Sequence, residues 1–275
     1  MTFERDIFIS YAHIDNLPLK EGKRGWIEIF HRALEVKLSQ LMGQKPEIWR
    51  DQKLQGNDIF GDEIVAQFPK TAVMISILSP RYLKSEWCMR EVKEFYQIAA
   101  RDAGVKIGNK SRIFKVIKTA VPYNTHPMEI ADTLGYEFYF TDSLTGREKE
   151  LNEDVGGNME NLYWSKIDDI AHDIYPLLET LKQGKDSAVI NCLEKQLTVF
   201  LADTGSDLNE QHDMIKRELM RFGYRVVPDS RLPFVASEFT RAVESFLDQS
   251  VLSIHLVGGS GGMVPEGSRN SIVAM

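Results

Sequence analysis

The fold is decided by residues 72–91, which read AVMISILSPRYLKSEWCMRE. The first seven residues are apolar apart from Ser76, and a short apolar run of this kind predicts a strand buried on both faces. Ser79 and Pro80 end that strand. From about Ser85 the apolar residues take helical spacing. The stretch therefore predicts one strand–loop–helix unit of an α/β protein.

Elements of the same two kinds lie on both sides of this unit. Strands are predicted at residues 6–11, 47–50, 111–119 and 136–140, helices at 26–42, 59–68 and 162–182, with Pro176 as a kink or break, and a loop at 147–161. Strands that alternate with helices form a parallel sheet covered by helices on both faces. The predicted fold class is therefore α/β with a parallel sheet.

A second, shorter α/β pattern begins after a polar segment. Its strands are predicted at residues 197–201, 224–227 and 251–257, its helices at 214–222 and 238–247, and its helix caps at Asp207 and Ser237. We predict a first domain over 1–182, a linker over 183–192, and a smaller, partial copy of the first domain over 193–275. The alternative is that two unrelated β-α-β-α-β stretches look alike. Because the second pattern holds only three strands, we expect that it is truncated and that Met275 is not the natural end of the protein.

The composition of the chain indicates its cellular compartment and excludes some classes of binding partner. The chain has 275 residues, a net charge of −7 and 43% hydrophobic residues, values close to those of soluble globular proteins. No apolar run reaches the ~18 residues of a membrane span, and two cysteines, Cys88 and Cys192, are typical of a reducing compartment. We expect a cytoplasmic protein that binds neither membranes nor, by its bulk charge, nucleic acid. The histidines show no spacing of metal ligands, so no metal site is predicted.

Glu91 is the most unusual residue of the helix after the third strand. Trp87, Glu91 and Phe95 are four residues apart and share one helix face, which places a carboxylate within an apolar stripe. A buried charge is costly unless it is paired or used in chemistry. The other interpretations are a salt bridge to Arg90 or Arg50, or a place at the edge of the stripe that reaches solvent. For comparison, serine hydrolysis is not predicted, because neither Ser10 nor Ser79 has an Asp or His partner that the sequence reveals.

Four motifs, taken in order, carry a resemblance to a known family. They are Asp6-Ile7-Phe8-Ile9-Ser10-Tyr11, Trp49-Arg50-Asp51 with the following Gly56, Leu78-Ser79-Pro80-Arg81-Tyr82, and Ser85-Glu86-Trp87-Cys88-Met89-Arg90-Glu91. Together they resemble a TIR (Toll/interleukin receptor) domain of the bacterial and plant type over about residues 1–180. The resemblance implies a flavodoxin-like sheet. Some members of this family only assemble signalling complexes, whereas others cleave NAD between nicotinamide and ribose.

The resemblance also implies roles for individual residues. It places the catalytic glutamate of the cleaving members at Glu91. It implies that NAD, as a substrate and not a resident cofactor, is bound by Ser10, Tyr11, Arg50, Asp51, Lys53 and Trp87. It further implies an assembly loop in which Gly56, Asn57 and Asp58 join protomers into an oligomer or filament, so that activity depends on self-association.

The resulting expectation is an NAD glycohydrolase or cyclase that acts in bacterial immunity, as antiphage signalling or cell death. One carboxylate suffices for this reaction, because nicotinamide leaves NAD as a neutral molecule, whereas ordinary glycosidases use two carboxylates. An additional C-terminal domain or an activator protein is a further expected partner. The alternative is a non-catalytic TIR scaffold that oligomerises for signalling. A third interpretation is a nucleoside-transferase-like enzyme with a similar glycosidic site.

Overall fold

The computed structural model describes residues 3–18, 20–50, 61–108, 110–142, 145–153, 158–183, 197–230, 232–233 and 235–259. The chain divides into two compact units, Met1–Asp186 and Ser187–Met275. Each unit contains a parallel sheet of its own. Among the described residues, no helix is both long enough and apolar enough to cross a bilayer.

The first unit is a flavodoxin-like α/β fold. Its strands are β1 (Arg5–Ser10), β2 (Ile48–Arg50), β3 (Thr71–Leu78), β4 (Lys106–Ile107), β5 (Lys110–Ser111), β6 (Ile113–Ile117), β7 (Gly135–Glu137), β8 (Tyr139–Thr141) and β9 (Glu148–Glu150), and its α-helices are α1 (Trp26–Met42), α2 (Gly61–Gln67), α3 (Glu86–Arg101) and α4 (Asn158–Gln183). Five strands pair in parallel in the order β2-β1-β3-β6-β7. When only the five strands of this sheet are numbered along the chain, their order is 2-1-3-4-5, which is the order in flavodoxin. The predicted fold class is therefore confirmed.

The two faces of this sheet are covered by different helices. Along β1, successive side chains point to opposite faces, as the pleat of a strand requires. Ile7 and Ile9 pack with α1 and α4, whereas Phe8 packs with α3. All eight residues of β3 are buried. Burial on both faces explains why residues 72–78 form a continuous apolar run without alternation.

The structure differs from the sequence predictions in two segments of the first unit. Residues 147–161 are not only a loop, because they contain β9, which pairs antiparallel with β8, and the start of α4. The strand reads Glu148-Lys149-Glu150 and has no apolar residue to signal it. Of the kink or break predicted at Pro176, the break is absent, since α4 continues through this residue to Gln183.

The second unit contains β10 (Thr198–Leu201), α5 (Asn209–Arg221), β11 (Arg225–Val227), α6 (Ala236–Asp248) and β12 (Leu252–Ile254). Its parallel sheet has the order β11-β10-β12, which is the order of the first three sheet strands of the first unit. The predicted caps are wrong. Leu208 and Val235 hold the cap positions without a side-chain bond. The Asp207 carboxylate instead accepts a hydrogen bond from the amide of Gly259 at 2.8 Å.

Candidate functional site

A pocket of about 540 Å³ opens at the carboxyl end of β1. In open parallel sheets, ligands bind beyond the carboxyl ends of the strands. Three segments line the pocket, namely the end of β1 with the loop that follows it, the turn after β3, and the first two turns of α3. The lining residues are Phe8, Ile9, Ser10, Tyr11, Ala12, His13, Ile14, Arg81, Ser85, Trp87, Cys88 and Glu91.

The start of α3 places two of these side chains at the pocket. Ser85 caps the helix, its hydroxyl oxygen accepting the amide proton of Cys88 at 3.3 Å. The buried face of α3 consists of Cys88, Val92, Phe95 and Ala99. Trp87, 53% exposed, and Glu91, half-buried, therefore lie at the edge of that face rather than within it. The structure thus shows the stripe-edge position that the sequence allowed for Glu91.

A short hydrogen bond fixes the Glu91 carboxylate. The Ser10 hydroxyl donates to Oε2 of Glu91 at 2.5 Å. Ser10 is the last residue of β1 and is only 1% exposed. Its Oγ atom also lies 3.1 Å from the phenolic oxygen of Tyr82. The carboxylate is thus tied to the end of a central strand.

Tyr82 belongs to the single 3₁₀ turn Tyr82–Lys84 that connects β3 with α3. Its side chain is fully buried, and burial raises the pKa of the phenol well above its usual range. The negative charge of Glu91 raises the pKa of the phenol further. The side chain is therefore a neutral hydrogen-bond donor at any physiological pH.

The loops around the pocket are tied together by Ser79. Its hydroxyl donates to the carboxylate of Asp15 at 2.6 Å and accepts the amide proton of Tyr82 at 3.0 Å. Burial raises the pKa of Asp15, and the hydrogen bond from Ser79 opposes that shift. Asp15 is thus a partner of Ser79 that the sequence did not reveal. The contact holds the loop after β1 against the turn after β3.

Arg50 lies on the opposite face of the sheet from Glu91. Ile48 packs in the core with α1, and Trp49 packs in the core with α3, so Arg50, two residues after Ile48, faces α1. On α1, burial and then the charge of Arg50 lower the pKa of His31. The structure therefore does not bring Arg50 to the pocket, and the salt bridge to Glu91 considered from the sequence is not formed.

The other predicted site residues fall into two groups. Ser10, Tyr11, Trp87 and Glu91 line the same pocket. Asp51 and Lys53, together with the predicted assembly residues Gly56, Asn57 and Asp58, lie outside the described residues. The structure thus brings together residues from two distant motifs.

Two lining residues with functional side chains were missed by the sequence analysis. Arg81 is exposed at the pocket, and the His13 ring packs against the Tyr11 ring at a centroid distance of 5.5 Å. Arg81 was quoted within a motif, but one arginine in a Ser-Pro turn carries no signal of its own. The pocket therefore contains a guanidinium group as well as a carboxylate.

Cys88 also reaches the pocket wall, but it is not a reactive thiol. Its side chain is 4% exposed, and burial raises the pKa of the thiol to about 12. The nucleophilic form of cysteine is the thiolate. At neutral pH the Cys88 side chain is therefore a small apolar group of the wall.

The fold and the pocket together define a class: a flavodoxin-like α/β protein with a carboxylate at the carboxyl edge of its sheet. No protein-family model and no curated protein matches the chain. Among solved structures, the chain is similar to the TIR domains in the structure of the activated Roq1 resistosome directly recognizing the pathogen effector XopQ. The sequence identity is 16%, the match covers 70% of this chain and 98% of that chain, and the TM-score is 0.30.

Proposed function

We propose that this protein is a TIR-type NAD glycohydrolase that cleaves the bond between nicotinamide and ribose. One observation carries the proposal: the Glu91 carboxylate, held by Ser10, faces a pocket at the carboxyl end of β1. The four ordered sequence motifs supply the reaction class, because Glu91 stands where the NAD-cleaving members of the TIR family have their catalytic glutamate.

The reaction needs a single well-placed anion. The bond between the ribose C1′ atom and the nicotinamide nitrogen breaks, and its electron pair leaves with the neutral nicotinamide. Positive charge then develops on the ribose, where the Glu91 carboxylate stabilises it. Water adds to C1′ and loses a proton, which gives ADP-ribose. If a nitrogen of the adenine adds in place of water, the product is a cyclic isomer.

The pocket offers complementary groups for the rest of NAD. Its volume of about 540 Å³ lies within the usual range of small-molecule sites. The half-exposed indole of Trp87 provides an aromatic surface for a ring. The guanidinium of Arg81 suits a phosphate, which arginine binds through paired hydrogen bonds. Tyr11 also lines the pocket.

Assembly and cellular setting extend the proposal beyond the described pocket. Residues 1–182 would carry the reaction, and 193–275 would be a catalytically silent partial TIR-like domain. The loop with Gly56 would mediate self-association, which activates a cytoplasmic enzyme in immune signalling or cell death. These parts are supported by the sequence resemblance.

The test is NAD consumption by the purified full-length protein at low and high protein concentration, with mass spectrometry of the products. We expect turnover in the wild type and a loss of about 100-fold or more in Glu91→Gln, because the variant removes the charge but keeps the shape. Glu94→Gln is the matched control, since Glu94 lies on the same helix but not in the pocket. It should keep wild-type turnover.

Absence of turnover in the wild type at every concentration and assembly size would contradict the proposal. The non-catalytic scaffold would then be the better description. Equal turnover by Glu91→Gln and the wild type would show that Glu91 is not the catalytic residue.

A further inference from the structure

We propose that Tyr82, through Ser10, positions the Glu91 carboxylate. Tyr82 is fully buried and is not among the residues that line the pocket, so it acts on Glu91 without touching the substrate. Its importance for turnover rests on the proposed function. The geometry of the three side chains does not.

Three oxygen atoms form a continuous chain from the core to the pocket. The Tyr82 phenol lies 3.1 Å from Oγ of Ser10, and Oγ of Ser10 lies 2.5 Å from Oε2 of Glu91. Ser10 is 1% exposed, so its hydroxyl is largely shielded from water. A chain of this kind is cooperative, because each bond polarises the next.

The protons that the three side chains carry determine which group donates and which accepts in each hydrogen bond. An ionised carboxylate only accepts, so the proton between Ser10 and Glu91 belongs to Ser10. The Ser10 hydroxyl has no second proton, and the proton between Ser10 and Tyr82 must therefore come from Tyr82. The raised pKa of the buried phenol keeps that proton in place. The direction is Tyr82 to Ser10 to Glu91.

The backbone carbonyl of Cys88 competes for the same proton but is the weaker acceptor. It lies 3.4 Å from the Tyr82 phenol, compared with 3.1 Å for Ser10. Donation to Ser10 also completes a chain that ends on a charge, and hydrogen bonds to charged groups are the stronger ones. The phenol is thus directed towards Ser10.

Tyr82 is itself firmly placed. Its amide donates to Oγ of Ser79 at 3.0 Å, and its ring lies in the core cluster with Phe8 and Val92. The phenolic oxygen therefore has a fixed position, and through Ser10 so does one oxygen of Glu91. Precise placement of a reacting group lowers the barrier of a reaction, and a small misplacement is costly.

Two variants test this chain in the full-length protein. Ser10→Ala removes the donor to Glu91, and Tyr82→Phe removes only the donor behind it. The direct readout is the NMR signal of the side-chain carboxyl carbon of Glu91, in protein labelled with ¹³C-glutamate. The signal is assigned as the one that is missing from the spectrum of Glu91→Gln. We expect its titration midpoint to rise by about one pH unit in Ser10→Ala and by less in Tyr82→Phe, because each loses support for the charged form.

Other charged and titratable groups of the pocket stay unchanged in these variants. They are Tyr11, His13, Arg81 and Cys88. Arg90 neighbours the site through its contact with Trp87 and is also retained. A movement of the Glu91 midpoint therefore reports the lost hydrogen bond.

Kinetics provide the second readout. We expect kcat for NAD to fall by about tenfold or more in Ser10→Ala and by less in Tyr82→Phe. KM should stay nearly unchanged in Tyr82→Phe, because Tyr82 does not line the pocket. Tyr163→Phe is the matched control. It removes a fully buried phenol on the other face of the sheet, where Tyr163 packs with Trp26 and Phe138.

The outcomes separate this inference from the proposed function. An unmoved Glu91 signal in either folded variant would overturn the inference whether or not NAD is consumed. A moved signal with no wild-type turnover would support the chain and contradict only the NAD reaction. If Tyr82→Phe fails to fold, an unmoved Glu91 signal in Ser10→Ala would still overturn the inference, because Tyr82 acts on Glu91 only through Ser10.

Discussion

Ser10 and Glu91 are 81 residues apart in the chain, yet the hydroxyl of one lies 2.5 Å from the carboxylate of the other. Ser10 ends β1, which lies between β2 and β3 in the sheet. Glu91 lies on α3, which packs its apolar face on that sheet. Sites built on strands and helices are held more rigidly than sites on loops. The carboxylate therefore occupies a fixed place at the pocket.

Removing the Trp87 side chain should weaken NAD binding and leave the fold intact. The indole is 53% exposed and lines the pocket, so little packing is lost in Trp87→Ala. Loss of one aromatic stacking partner should raise KM by about tenfold. Steady-state kinetics and a thermal melt measure both effects. Trp164→Ala is the control, because Trp164 is 37% exposed and lies outside the pocket, and an equal rise in its KM would contradict this assignment.

Arg81→Ala should impair the recognition of a charged substrate. Arg81 is exposed at the pocket, where its guanidinium can pair with a phosphate. We expect KM for NAD to rise by about tenfold and to depend less on salt concentration than in the wild type. Titrating sodium chloride in the kinetic assay measures this dependence. Lys84→Ala, in the same turn but outside the pocket, should change neither value.

Phe95→Ala should destabilise the first unit strongly. Phe95 is 1% exposed, and its ring lies 5.5 Å from that of Phe68. A cavity of this size costs about 3–5 kcal/mol of unfolding free energy. Urea unfolding followed by circular dichroism gives the value. The adjacent Tyr96, 37% exposed, provides the control: Tyr96→Ala should cost less than about 1 kcal/mol. Similar losses in both variants would show that Phe95 is not a core residue.

Cys88 should resist thiol reagents in the folded protein. Burial raises the pKa of its thiol from 9.0 to about 12, so almost none is thiolate at pH 8. In a Cys192→Ser background, we expect labelling of Cys88 to be about 1,000-fold slower than in denaturant. A comparable rate in both conditions would show that the thiol is accessible and ionised.

The same shift predicts how stability depends on alkaline pH. The unfolded chain releases the Cys88 proton near pH 9.0, whereas the folded protein keeps it to about pH 12. The stabilisation linked to this proton is therefore complete below pH 9.0 and is lost as the pH rises from there towards 12. Urea unfolding at increasing pH should show a steeper decline for the wild type than for Cys88→Ala. Parallel declines would contradict this linkage.

The fold was predictable because its signals are local. The apolar run 72–78 predicts β3, and the helical spacing from Trp26 to Met42 predicts α1 with the bounds that the structure shows. Burial of both sheet faces leaves a clear apolar pattern. By contrast, β9 reads Glu148-Lys149-Glu150, and its pairing with β8 depends on backbone hydrogen bonds that no side-chain pattern reports.

The candidate site was predictable only in part. Helical spacing placed Trp87 and Glu91 on one face, but it could not decide that this face lies at the edge of the core. The sequence placed Arg50 near the site, whereas the pleat of β2 turns its side chain towards α1. One residue of register in a strand moves a side chain to the other face of the sheet, and that register is set by pairing with β1.

The sequence by itself determined the α/β alternation of this protein and the place of Glu91 one helical turn after Trp87 on the same face of α3. Both are properties of neighbouring residues, and spacing along the chain is enough to show them. Only the tertiary structure decided that Tyr82, Ser10 and Glu91 form one hydrogen-bonded chain. Their contact depends on how β1, the turn after β3 and α3 pack together, and distances across such packing are not encoded in any local spacing.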